Sequence, residues 1–242
     1  MKNKVFTLEE VLDKLHDGQS VMFTDLHGGL AADEIIDGML AKGVKDLTAI
    51  GVSSGRHNMG MGKLIADHRV KKLLTTHIGL NKASIEQMFA GELEVEFIPQ
   101  GTFAERIRCG GFGLGGCLTR SGLGTQMQEG KQIVNVDGLD YILEKPIRAD
   151  VALLHATKAD KAGNLYCAGT SHLCVDYMAM AADLVIAEVE ELVEIGELDP
   201  EKVIVQAPVV DMVYVRQGEK APLWKSWASQ IAKIQEKEAA QE

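Results

Sequence analysis

Short apolar runs of strand length alternate with helix-length stretches along most of the chain, and glycines mark many of the boundaries. No other feature restricts the possible folds as much. Ser20-Val-Met-Phe23, Leu47-Thr-Ala-Ile50, Lys72 to Thr76, Ala149 to His155 and Leu184 to Val189 read as strands. Ala31 to Ala41, followed by Gly43, and Ser84 to Ala90, ended by Gly91, read as helices. Thr7-Leu-Glu-Glu10 has the form of a capping box, with Val11 and Leu15 following at helical spacing. Leu93 to Ile98 alternates apolar and acidic residues, as a strand with one wet face does. Thr102 to Arg108 and Met178 to Ala182 read as short helices. Aromatic residues make up only 5% of the chain, so aliphatic and small side chains must fill the core, which suits parallel strands buried on both faces. The fold class implied is α/β, an open and mostly parallel sheet with flanking helices.

Two segments depart from that rhythm. Ile133 to Val136 and Leu139 to Leu143 flank Asp137-Gly138, a hairpin signal, and imply a small antiparallel insertion. Pro222 to Glu242 holds no glycine and reads as an amphipathic C-terminal helix, with Leu223, Trp227, Ile231 and Ile234 near one face. It docks on its own domain or on a partner subunit. The expected organisation is a main domain over 1–220 and the terminal helix over 221–242.

Charge and motifs exclude several classes. A formal net charge of −10, with no basic patch, argues against nucleic acid and against anionic membrane. No apolar run approaches the roughly 18 residues that span a bilayer. Lys2-Asn3-Lys4 and an acidic helix follow Met1 where a secretory signal would need an apolar stretch. A cytoplasmic protein is expected. Cys109, Cys117, Cys167 and Cys174 lack C-x-x-C spacing and read as reduced, partly buried thiols, with no metal site implied. There is no H-E-x-x-H or Walker pattern, and no nucleophile stands out.

Several clusters could bear chemistry. Pro99-Gln100-Gly101 ends a strand and leaves Gln100 at its carboxyl end, where open α/β sheets bind ligands. Its amide offers two donors and an acceptor, although such a residue also commonly fixes a loop. Residues 110–116 contain five glycines in seven positions: Gly110, Gly111, Gly113, Gly115 and Gly116. They suit close backbone packing or close approach to a ligand. Two glycine loops follow early strands, Asp25-Leu-His27-Gly28-Gly29 and Ser53-Ser54-Gly55-Arg56-His57. Lys158 and Lys161 flank Asp160 in a segment that could meet a phosphate or form a tight turn. Glu188, Glu190, Glu191 and Glu194 read as a solvated edge.

The stretch Pro-Gln-Gly-Thr-x-Ala-Glu-Arg-Ile-Arg-x-Gly-Gly at 99–111 resembles the α subunit of family I CoA-transferases. Ser121-Gly-Leu-Gly-Thr125, Lys158-Ala-Asp-Lys-Ala-Gly-Asn164, Ala179-Met-Ala-Ala182, Glu188-Val-Glu-Glu191 and Gly196-Glu-Leu-Asp-Pro200 also match, in order, over about residues 5–215. The resemblance implies a heteromer of α and β chains. It also implies ping-pong transfer of coenzyme A, as substrate and without metal, between an acyl-CoA and a carboxylic acid. In that family a glutamate of the β subunit is the nucleophile, within a Ser-Glu-Asn-Gly motif absent here. Gln100 takes the supporting catalytic place that the resemblance gives it, and Gly110, Gly111, Gly113, Gly115, Lys158 and Lys161 are packing or CoA-proximal positions.

The departures fall in the two loops that the resemblance sets beside the acid. Family α subunits read Gly-Gly-Phe-Gly-x-x-Gly-x-Pro where this chain reads Thr24-Asp25-Leu26-His27-Gly28-Gly29-Leu30-Ala31-Ala32. They read Ser-Asn-Asn-Ala-Gly where this chain has Gly51-Val52-Ser53-Ser54-Gly55. Asp25, His27, Gly28, Gly29, Val52, Ser53, Ser54 and Arg56 are therefore the candidate substrate-binding residues. The acid is expected to be larger or more polar than acetate. A non-catalytic acyl-CoA or small-ligand sensor on the same fold is the alternative.

Overall fold

The computed structural model describes residues 2–25 and 29–218. The helices are α1 (Leu8–Leu12), α2 (Asp33–Lys42), α3 (Met61–Ala66), α4 (Lys82–Ala90), α5 (Gln100–Gly111) and α6 (Val175–Met180). The strands are β1 (Ser20–Phe23), β2 (Leu47–Ser53), β3 (Val70–His77), β4 (Glu94–Phe97), β5 (Cys117–Thr119), β6 (Ile133–Val136), β7 (Leu139–Glu144), β8 (Ala149–Asp160), β9 (Leu165–Tyr166), β10 (Ala182–Val193) and β11 (Met212–Val215). The main sheet runs β11-β10-β8-β1-β2-β3-β4 with every neighbouring pair parallel, and β9 adds antiparallel to β8. A second sheet, β5-β7-β6, is antiparallel and forms the small insertion.

Local chemistry explains the elements that were foreseen. At α1 the Thr7 amide donates to Glu10 Oε2 at 2.8 Å and the Glu10 amide to Thr7 Oγ1 at 3.3 Å, a complete capping box. Asp137 (φ 51°) and Gly138 (φ 82°) both take the left-handed conformation that a two-residue hairpin turn requires. Strand β2 is buried along nearly its whole length, as a strand covered on both faces should be. One face of the sheet packs on α1 to α4 through Phe23, Ile36, Leu64 and Leu73; the other packs on α5 and α6 through Met22, Ile50, Phe103 and Met178.

Other elements differ from expectation. Strands β8 and β10 continue past His155 and Val189 and stay paired as far as Asp160 and Val193. Their outer ends carry Lys158, Asp160, Glu190 and Glu191, polar enough to read as loop, but each strand satisfies the other. Helix α3 and strand β11 were not anticipated; α3 is only 6 residues long and opens on Gly60-Met-Gly. The helix expected after Pro99 starts two residues early, at Gln100. The expected helix over 221–242 lies outside the described residues.

Candidate active-site crevice

The order of the strands locates a crevice. After β1 the chain adds β2, β3 and β4 on one side, then returns to place β8, β10 and β11 on the other. The switch falls between β1 and β8, and ligands bind open α/β sheets at the carboxyl ends of such a pair. Thr24 and Asp25 follow β1 there. The His155 amide of β8 donates to Thr24 Oγ1 at 2.7 Å, and His155 Nε2 lies 3.0 Å from Glu190 Oε1. In the strand register Glu188 stands beside both His155 and Tyr214, so these three side chains share the face covered by α2. The hollow lined by Thr24, Asp25, Leu30, Val52, Leu173 and Met178 measures only about 10 Å³, room for about one water.

The two candidate acid loops meet at Asp25. Asp25 is 3% exposed, and its Oδ2 accepts the Met61 amide at 3.0 Å. A Cβ on Gly60 would lie 2.1 Å from that oxygen and one on Gly55 3.1 Å, so the carboxylate fills space that these glycines leave open. Gly29, Val52, Ser53 and Ser54 are all buried. The Gly55 amide donates to Ser53 Oγ, the Ser54 amide to the His77 carbonyl, and Asn81 Nδ2 to the Ser54 carbonyl. This second loop is thereby packed onto the end of β3. Arg56 is half-buried and, among the described residues, makes no ion pair. His27 and Gly28 lie outside the described residues.

The remaining candidates sit elsewhere. Gln100 is exposed as the first residue of α5, beyond edge strand β4. Three strand spacings separate β4 from β1, roughly 14 Å. Gln100 thus stands apart from the group around Asp25. Gly110 and Gly111 end α5 in tight contact: added Cβ atoms would lie 2.0 Å from the Ile147 carbonyl oxygen and 2.7 Å from Met180 Cβ. Gly113 and Gly115 are exposed and face open space. Lys158 pairs with Glu191 at 2.7 Å, and Lys161 pairs with Glu194.

One expectation is corrected. The carboxylates of β10 are not uniformly a solvated edge, because Glu188 is 0% exposed. A strand alternates its faces, so Glu188 and Glu190 point toward α2. Glu188 Oε2 accepts the amides of Glu34 at 2.9 Å and Ile35 at 3.1 Å, the first turn of α2. A glutamate within Leu-Val-Ile-Ala-Glu-Val was the available signal, since an apolar strand tolerates a charge only where a partner waits. His155, Tyr214 and Asn81 also escaped the sequence reading, each being a single polar residue in an otherwise ordinary segment.

The sequence profile of the Coenzyme A transferase family matches residues 5–216. The chain belongs to the coenzyme A transferase family. It is an enzyme component of the α type. The alpha subunit of the acetate CoA-transferase of Escherichia coli (strain K12) is 40% identical over 220 residues, covering 91% of this chain and 100% of that relative. The alpha subunit of the acetoacetyl-CoA:acetate/butyrate CoA transferase of Clostridium acetobutylicum is 39% identical over 213 residues, covering 88% and 98%. Among solved structures, an acyl-CoA transferase from E. coli O157:H7, in a thioester complex with CoA, superposes with a TM-score of 0.79 at 20% identity. That comparison covers 91% of this chain and 49% of the other, so the chain spans about half the length of that structure. The likeness shows the same fold. Among the described residues no helix is long and apolar enough to cross a membrane. No described group of three or more His, Cys, Asp or Glu is placed to hold a metal.

Proposed function

We propose that this transferase-family chain is one half of a heteromeric CoA-transferase, completed by a β subunit that brings the catalytic glutamate. The observation that carries the reading is the match to α-type subunits over about nine-tenths of the chain, combined with a crevice whose described polar groups hold loops in place. The chemistry is ping-pong. The glutamate carboxylate attacks the acyl-CoA carbonyl and CoA leaves as thiolate, giving a mixed anhydride. The thiolate then attacks the glutamyl carbonyl, releasing the first acid and leaving a glutamyl-CoA thioester. The second acid's carboxylate displaces CoA to form a new anhydride. CoA attacks its acyl carbonyl, which frees the glutamate and the new acyl-CoA.

Coenzyme A is a substrate here and no metal takes part. Gln100, exposed at the start of α5, is available to a second chain, and its amide would donate to the glutamyl oxygen. A donor aimed at such a developing oxyanion contributes about 2.7–4 kcal/mol in comparable acyl transfers. Arg56 would pair with a second carboxylate or other polar group on the acid. The reading includes a cytoplasmic location, supported by four free cysteines.

The test is co-purification with a β subunit, followed by assay with acetyl-CoA and a panel of mono- and dicarboxylic acids. The pair should turn over, the single chain should not, and borohydride should trap a glutamyl adduct on the β chain. Robust exchange by the single chain would overturn the reading. Equal acid preference in wild type and Arg56→Ala would remove the role given to Arg56.

A further inference from the structure

Helices α2 and α3 begin without caps of their own. Their N-cap residues, Ala32 and Gly60, offer no side-chain hydrogen bond to the first turn. Carboxylates from distant segments take that place. Glu188 of β10 accepts the Glu34 and Ile35 amides of α2, and Asp25 accepts the Met61 amide of α3. A carboxylate suits the positive end of a helix, and its hydrogen bonds to amides are charge-assisted.

These two helix starts are also where the two departing loops end. Residues 29–32 lead into α2, and residues 54–60 run from β2 into α3. The ties are joined, because Asp33 Oδ1 in the first turn of α2 accepts the Gly60 amide at 3.1 Å. A chain of contacts therefore leads from Glu188 through the first turn of α2 and Asp33 to Gly60. Asp25 then fixes the next residue, Met61.

We infer that Glu188 and Asp25 are positioning residues for the carboxylic-acid pocket: Glu188 fixes the start of α2, which the first departing loop enters, and Asp25, just after β1, fixes the start of α3, which the second enters. The inference rests on the transferase reading for the identity of the pocket. It moves Asp25 from contact with substrate to support of the loops that make contact. Neither group touches the reacting atoms. A buried carboxylate is costly wherever an apolar side chain would serve, and fixing backbone amides is something only an acceptor does.

The experiment uses the chain co-purified with its β subunit, in three variants: Glu188→Gln, Glu188→Ala and Asp25→Asn. Glu188→Gln keeps an acceptor for the two amides and loses only the charge. In Glu188→Ala the KM for the acid should rise about tenfold, since a small misplacement of a binding loop weakens the contacts it makes. The KM for acyl-CoA should hold, and Glu188→Gln should recover most of the loss. A merely structural role would lower kcat through the active fraction and leave both KM values alone. Hydrogen exchange gives the second readout: amides 34, 35, 60 and 61 should exchange faster in Glu188→Ala, and amide 61 in Asp25→Asn. Should Glu188→Ala fail to fold, Asp25→Asn carries both readouts at its own tie: a raised KM for the acid and faster exchange at amide 61. Unchanged acid KM with unchanged exchange at 60 and 61 would overturn the inference. If the wild-type pair moved no CoA, the transferase reading would fail, while exchange would still report whether the tie exists.

Discussion

Tyr214 donates its phenol hydrogen to Glu34 Oε2 across 2.6 Å, joining strand β11 to the first turn of α2. The same carboxylate accepts the amides of Gln217 at 2.9 Å and Gly218 at 2.7 Å. Burial alone would raise the Glu34 carboxyl, but these donors outweigh it and hold it below its ordinary value. Burial first, and the Glu34 acceptor second, push the Tyr214 phenol up.

Replacing Tyr214 by Phe should therefore destabilise the fold by about 1.5 kcal/mol, the worth of a hydrogen bond to a charged group. Glu34 has a depressed folded pKa, so its contribution is present above its unfolded pKa and is lost as pH falls through the folded one. Tyr214 has a raised folded pKa, so its contribution is present below its unfolded pKa near ~10 and is lost above it. Urea unfolding of wild type and variant at neutral pH and near pH ~3 should show a gap that narrows in acid. A gap independent of pH would contradict the pairing.

Arg106 of α5 connects the insertion to the main body. Its Nη1 lies 2.6 Å from Glu96 Oε1 and 3.8 Å from Glu144 Oε2, and its Nε donates to the Lys145 carbonyl at 2.8 Å. Glu144 is 2% exposed and keeps Lys131 as a second partner at 2.7 Å. Arg106→Met should cost about 3 kcal/mol, because it strips a partner from a nearly buried carboxylate and from a carbonyl. Chemical denaturation checks the size, and faster amide exchange in β7 should accompany it.

The elements legible in the sequence are those written in local chemistry. Thr7 and Glu10 carry their own helix start, and Asp137-Gly138 carries its own turn. The apolar cores of β1, β2, β8 and β10 were equally plain. The outer halves of β8 and β10 were not, because Lys158 and Glu191 look like loop residues until they stand side by side in the register. Glu188 was misread for the same reason, its partners being amides some 150 positions away in sequence. Of the candidate site, the strand-end location of both glycine loops was readable. The inward role of the Asp25 carboxylate was not, since it depends on Gly55 and Gly60 leaving room.

The glycine-rich stretch divides into two kinds of position, and alanine substitution should separate them. Gly111→Ala drives a Cβ to 2.7 Å from Met180 Cβ and 3.0 Å from the Met180 carbonyl carbon, neither of which can turn aside. It should cost about 2 kcal/mol or more through overpacking of α5 against α6. Gly115 has nothing within 4 Å of an added Cβ. Gly115→Ala should therefore change stability by less than about 0.5 kcal/mol. Thermal unfolding of the two variants decides this. A raised KM for acyl-CoA in Gly115→Ala alone would show that this end of the stretch approaches coenzyme A.

Lys158 and Lys161 offer a direct test of the CoA-proximal reading. Each is half-exposed and paired across the strands, with Glu191 and Glu194 respectively. Such pairs contribute about 0–1 kcal/mol, so Lys→Ala at either position should scarcely alter stability. If the glutamates already use these charges, the KM for acyl-CoA in the reconstituted pair should change less than about twofold, well under the 1.4 kcal/mol of a tenfold loss. A much larger rise in Lys158→Ala would assign that lysine to the nucleotide phosphates.

The cysteines should be chemically quiet in the native chain. Burial, with the nearby Asp176 charge adding to it, pushes the Cys167 thiol up to about 12. Burial and the neighbouring Cys109 push Cys117 up to about 11. An unfolded thiol titrates near ~8.5, so both stay protonated in the folded chain at pH ~8 and the reactive thiolate is scarce. Iodoacetamide at that pH should label neither within a time that fully labels the urea-unfolded chain. The linkage runs with a raised folded pKa: the contribution to stability is complete below ~8.5 and is lost as pH rises toward 11 to 12. Stability measured between pH ~8 and ~10 should fall with a slope that Cys167→Ala makes shallower. Rapid native labelling of Cys167 would mean that the segment after β9 opens far more readily than its packing against His155 implies.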